Sequence, residues 1–153
     1  MCGMAWILTK WHIGVRVNIR ANATFAAGDF ARLEAALVPR IKSAVDAATE
    51  IVLQVALQHV AVDTGELASS GGRIVDIIPA DKQVLGSVSF SANHAVYVEM
   101  GTGIRGAESP GAGEGAVYSP TWPGMPAQPY LRPAMDESKG AIKNCFATEG
   151  FGV

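Results

Sequence analysis

Between Val15 and Ile19 the chain alternates, with Val15, Val17 and Ile19 on one side and Arg16, Asn18 and Arg20 on the other. A period of two gives one buried and one wet face, which predicts a half-buried strand. After a turn-like stretch from Asn22 to Gly28 the period lengthens. Phe30, Leu33, Leu37, Ile41, Val45, Ala48, Val52, Val55 and His59 recur every three or four residues, the stripe of a long amphipathic helix. Asp29 is placed to cap its start. Pro39 lies inside the stripe. Its missing N–H and its ring predict a kink, or a break into two helices, near Ala36 to Val38.

Beyond the helix, Asp63-Thr64-Gly65 reads as a turn. Thr64 is placed to cap a short helix over Glu66 to Ser69, which Gly71-Gly72 then ends. Arg73 to Ile78 and Val84 to Phe90 are β-rich and separated by Pro79 to Lys82, so they predict a hairpin. Val84, Gly86, Val88 and Phe90 alternate with Leu85, Ser87 and Ser89, and one of these sets faces inward. The segment Asn93 to Thr102 fits a short helix or a strand, the helix being favoured, with Gly101 as its terminator. Residues Gly103 to Gln128 are rich in Gly, Pro and Ser and have little periodicity. A loop of that length in a compact domain signals function or disorder. A final helix is expected from Pro133 to Phe146, with Pro133 in the first helical position.

Together these segments predict an α+β fold. A long kinked N-terminal helix and a C-terminal helix pack on one side of a small antiparallel β-sheet, with a long Gly/Pro-rich loop between. Residues 1–28 form an arm with a strand, and 29–150 form one domain that includes the loop 103–128. The chain has 153 residues, 49% of them apolar, enough for a sizeable core. Charged residues make up 17%, below the usual quarter, which favours a surface that self-associates. A net charge of −2 argues against a general nucleic-acid binder. Cys2 and Cys145 make no disulfide framework and are expected as free thiols in a reducing compartment. Ile51 to Val62, interrupted by Gln54, Gln58 and His59, is too short to cross a bilayer. The N-terminal apolar patch has no preceding charge and no clean cleavage site, so no signal peptide is expected.

Candidate chemistry is sparse. Val60-Ala61-Val62-Asp63-Thr64-Gly65 resembles the active-site triplet of retroviral-type aspartic proteases, in which a dimer brings two carboxylates together to share a proton. That chemistry needs the triplet on a loop after a strand in a β-rich subunit, whereas here it follows a long helix. His12, His59 and His94 lie far apart with no metal-ligand partner at helical spacing. Ser69 and Ser70 sit in no nucleophile elbow, and Gly101-Thr102-Gly103 lacks the lysine of a phosphate loop. A small DNA- or protein-binding regulator would need a basic recognition helix, and neither helix carries enough Lys or Arg. No catalytic, cofactor-binding or metal residue is assigned. Fold maintenance or subunit contact instead explains the Asp63-Thr64-Gly65 turn, a partly buried Glu99 beside Gly101-Thr102 tying down a neighbouring loop, and Tyr130 and Leu131 clipped between prolines.

Three segments, in this order and at these separations, carry a resemblance: Val62-Asp63-Thr64-Gly65-Glu66-Leu67-Ala68-Ser69-Ser70, Ala95-Val96-Tyr97-Val98-Glu99-Met100-Gly101-Thr102, and Pro126-Ala127-Gln128-Pro129-Tyr130-Leu131-Arg132-Pro133-Ala134. From roughly Phe30 to Cys145 the chain resembles the phage family of neck and tail-completion proteins, or minor tail components, typified by gene product ten of coliphage HK-ninety-seven. Met1 to Ala27 has no counterpart, and the Gly/Pro-rich loop is long for the family. The resemblance implies a structural virion protein of a siphovirus-like phage, made in the bacterial cytoplasm and forming a homo-oligomeric ring of six or twelve. Its implied partners are itself, the head-closure or portal-side proteins, the tail-terminator or tail-tube proteins, and genomic DNA passing the lumen without sequence recognition. No membrane is implied. The implied structural or interface residues are Asp63, Thr64, Gly65, Leu67, Tyr97, Glu99, Gly101, Thr102, Pro129, Tyr130, Leu131 and Pro133. The apolar loop residues Val117, Tyr118, Trp122 and Met125 are expected to meet a partner surface.

Overall fold

In a computed structural model the chain is described for residues 8–9, 12–13, 15–22, 30–61, 65–78, 83–110, 112 and 116–151, with backbone alone up to residue 35. The long apolar stripe forms helix α1 (Phe30–His59), at the bounds the pattern predicts. Its inward face buries Ile41, Ala44, Val45, Ala48, Val52 and Ala56. Pro39 does not break it. Position 39 is exposed, so water can serve the carbonyl that the proline leaves without an amide.

The alternating segment forms β3 (Val15–Asn22), preceded in the arm by the two-residue strands β1 (Leu8–Thr9) and β2 (His12–Ile13), which pair antiparallel and were not predicted. The predicted hairpin is β4 (Gly71–Ile78) and β5 (Gln83–Phe90), in a register running from Gly71 opposite Phe90 to Ile78 opposite Gln83. Strand β3 pairs antiparallel with the other side of β5, from Val15 opposite Phe90 to Asn22 opposite Gln83. The three-stranded order is therefore β3-β5-β4, with β5, the strand that carries no charged residue, in the centre. Gly71 and Gly72 open β4 instead of closing the short helix α2 (Glu66–Ser69), whose C-cap is Ser70. The ladder reaches one pair further, through the Ser91 N–H donating to the Ser70 carbonyl at 3.2 Å. That extra pair makes the glycines strand residues.

Helix α1 lies close against the sheet. A Cβ on Gly86 would stand 2.5 Å from Cγ2 of Thr49 and 2.6 Å from Cγ1 of Val45, so the central strand needs glycine where the helix crosses it. At the β4 edge, Arg73 reaches back to α1. Its Nε donates to Glu50 at 2.6 Å and its Nη1 donates to Asp46. A hydrogen bond from Gln54 and then Arg73 hold the Glu50 carboxyl below its usual value. Helix α3 (Ala95–Met100), the short helix α4 (Gly103–Ala107) and helix α5 (Leu131–Thr148) complete the described elements. The main core joins Ala48, Val52 and Ala56 of α1, Val88 and Phe90 of β5, Ala95 of α3, and Leu131, Ala134 and Met135 of α5. The fold is α+β, with both long helices on one face of a small antiparallel sheet.

Candidate functional site

Helix α3 turns Ala95 and Glu99, one helical turn apart, towards the core, where both are fully buried. A buried carboxylate needs donors, and Glu99 finds them at the start of α5. Its Oε2 accepts the N–H of Tyr130 at 2.7 Å and of Leu131 at 3.0 Å. Its Oε1 accepts the N–H of Arg132 at 3.2 Å and Nε–H of the same residue at 3.1 Å. The Arg132 guanidinium also donates to the Glu99 carbonyl at 3.1 Å and to the Ala112 carbonyl at 3.4 Å.

This accounts for the whole N-terminus of α5. A helix starts with four backbone N–H groups that have no partner inside it. Here the N-cap is Tyr130 and the first helical residues are Leu131, Arg132 and Pro133. Glu99 takes the first three N–H groups, proline has none to offer, and Ala134 begins the intrahelical ladder by donating to the Tyr130 carbonyl at 3.4 Å. Pro133 therefore stands third in the helix and not first, because the carboxylate extends the start of the helix by two residues. The negative charge also sits at the positive end of the helix dipole. Tyr130 is pinned as well. Its ring meets Phe90 edge-on with centroids 4.8 Å apart, and its hydroxyl donates to the Ala95 carbonyl at 3.2 Å. Burial, and then the charge of Glu99, push the Tyr130 phenol well above its usual range.

The Gly/Pro-rich loop has structure of its own. Gly101 ends α3 at φ 75°, as predicted, and Thr102 is the N-cap of α4. Thr102 and Met125 exchange backbone hydrogen bonds at 2.9 and 3.1 Å, the Ile104 N–H donates to Trp122, and the Gln128 N–H donates to Val98. Gly124, at φ 62°, lets the returning chain approach so closely that an added Cβ would lie 1.8 Å from the Thr102 carbonyl oxygen. The Tyr118 hydroxyl donates to the Met100 carbonyl at 2.9 Å.

The segments singled out in the sequence meet at one place. Gly65, Glu66 and Leu67, then Val98, then Gln128 line a groove of about 510 Å³ with Ala61, His94 and Met125. Asp63 and Thr64 lie outside the described residues. The N-cap of α2 is Gly65 at φ 77°, and the cap expected from Thr64 falls outside the described residues. Leu67 and Leu131 are core residues, Pro129 is half-buried next to the Glu99 junction, and Tyr97 is 46% exposed. Of the four loop residues expected to await a partner, Val117 and Trp122 face solvent while Tyr118 and Met125 are taken up partly within the chain. Glu99 is more deeply buried than the sequence suggests, and what it ties down is a helix start.

Two residues escaped the sequence reading. Arg132 stands in the third segment, and a buried Glu in the second was the signal that a cation would be needed. Arg73 was read only as a strand residue, although Asp46 and Glu50, one turn apart on α1, offered it a paired acceptor. Among the described residues no group of His, Cys, Asp or Glu is arranged to hold a metal, and no helix is long and apolar enough to cross a membrane. Comparison with protein-family models, with curated proteins and with solved structures gives no match.

Proposed function

We propose that this chain is a structural subunit of a long-tailed phage particle. It forms a homo-oligomeric ring of six or twelve in the neck, where it completes the tail and lets DNA pass. The observation that carries the reading is the convergence of the three segments on which the resemblance rests. They lie far apart in the sequence, yet all three line one groove, and the second and third are joined through Glu99 at the start of α5. Within them, Glu99, Tyr130 and Arg132 are spent on the chain's own backbone. Apolar surface is open to a partner in the loop, where Val117 is 100% exposed and Trp122 55%.

In this reading the ring contacts head-closure or portal-side proteins on one side and tail-terminator or tail-tube proteins on the other, and DNA passes without base recognition. The protease alternative is disfavoured by local topology, since Val60 follows α1 directly and Gly65 opens α2, leaving the triplet between two helices. Imaging of the assembled particle tests the proposal: six or twelve equivalent copies should surround the tail axis between the portal and the tail tube. A single copy, or a position on the capsid shell or tail tip, would overturn it. So would a peptidase activity of the purified protein that Asp63→Asn abolishes.

A further inference from the structure

Among the described residues the three-stranded sheet has two free edges, β3 on one side and β4 on the other. An open edge presents a row of unpaired backbone groups, which another strand can satisfy. The polarity of the β4 edge follows from one bond. Because the Ser91 N–H donates to the Ser70 carbonyl, the even-numbered residues of β4 point their backbone groups at β5. Arg73, Val75 and Ile77 therefore point theirs outward. By the same alternation Asn18 and Arg20 carry the outward groups of β3. Apolar side chains also accumulate at the β4 edge, where Ile74 is 55% and Ile77 45% exposed.

Both edge strands run antiparallel to β5 and hence parallel to each other. A second copy laid beside the first in the same orientation thus brings its β3 edge to the β4 edge of the first. Without any axial shift the backbone groups interlock as a parallel ladder requires. The Val75 N–H then faces the Asn18 carbonyl of the next copy, and the Arg20 N–H of that copy faces the Val75 carbonyl. Charge supports the same alignment. Within one chain Asp76 and Arg20 flank Leu85 in a single cross-strand row, so the added copy sets its Arg20 beside Asp76. Pairing two β3 edges would instead align strands that carry Arg16 and Arg20 and no acid.

We propose that the free edge of β4 takes the β3 edge of a second copy of this chain, in parallel and in register, so that copies add head to tail. Such a contact is heterologous and closes into a ring when its rotation divides the circle. The proposal rests on the self-association in the reading above, and not on the phage particle.

The test uses two forms of the full chain, both with Cys2→Ser and Cys145→Ser, one also carrying Ile74→Cys and the other Asn18→Cys. A short thiol cross-linker should join them only when they are mixed, because positions 74 and 18 become neighbours across the contact. A dimer from Ile74→Cys alone would show pairing of two β4 edges and overturn the proposal. A ring by mass that yields no cross-link would overturn this surface and leave the neck reading standing. A chain that stays monomeric at all concentrations would overturn the surface and the self-association with it. Ile77→Pro supplies the second arm. Its N–H points away from β5, so the hairpin should survive, with wild-type circular dichroism, while the mass in solution falls to that of a monomer. A folded Ile77→Pro protein that still assembles at wild-type concentration would also overturn the proposal.

Discussion

At the scale of single residues, Glu99 matters most because it serves the backbone. Three of its four hydrogen bonds come from main-chain N–H groups that have no other partner in the helix, and the fourth from Arg132. Glu99→Ala leaves those three amides without their acceptor and takes the carboxylate from Arg132, which keeps its bonds to the main-chain carbonyls of residue 99 and Ala112, at a cost of about 3–5 kcal/mol. Arg132→Met removes one charged donor and leaves the carboxylate on its three amides, at a cost of about 1.5–3 kcal/mol. Denaturant unfolding of both variants should give that order, and the reverse order would show that the ion pair outweighs the cap. Tyr130 gives a test of opposite sign in pH. Its phenol is raised above the ordinary value of 10.0, so the folded chain keeps the proton that the unfolded chain loses. The contribution is complete below about pH 10 and is lost as pH rises beyond it. Thermal midpoints should therefore fall more steeply above pH 10 in the wild type than in Tyr130→Phe, and parallel curves would mean that the phenol does not carry this linkage.

At the scale of elements, much was legible where periodicity is set by one buried face. The bounds of α1, the hairpin β4–β5 and the Gly101 stop of α3 could be read because each depends on neighbours in sequence. The loop could not. Its order comes from backbone bonds between Thr102 and Met125 and between Ile104 and Trp122, which no periodic pattern announces. Helix α5 starts two residues before the expected Pro133 because its cap is a side chain 31 positions away. Gly71 and Gly72 look like a helix terminator in the sequence because a strand register is invisible until its partner is known. The loop should behave as a local unit, separable from the core. Gly124→Ala forces a Cβ into the Thr102 carbonyl at a position with φ 62°. The loop should then release its hold on α4 and be cut by protease between residues 103 and 128 several-fold faster, with the global melt shifted far less. Unchanged cleavage would show that Thr102 and Met125 are not the latch.

At the scale of the whole molecule, the buried and exposed apolar groups divide the work. Phe90, Tyr130 and Leu131 hold the α3–α5 junction and are fully buried, so truncating them unfolds the chain and says nothing of its partners. Val117 and Trp122 lie in the same loop region but face solvent, and they contribute little to the isolated fold. Exposed side chains away from caps and cores change stability by about 0.5 kcal/mol or less when replaced. In an interface the balance reverses, because a solvent-facing Trp that becomes covered recovers roughly 25 cal/mol for each Å² of apolar area removed from water. Aromatic anchors of this kind also tend to dominate binding. Under the proposed function, the double variant Val117→Ser, Trp122→Ser should therefore unfold at the same denaturant concentration as the wild type and yet fail to enter assembled particles. Measuring both properties on one preparation separates the roles. Loss of stability together with incorporation would return these residues to the fold, while normal stability with normal incorporation would place the contact surface away from the loop.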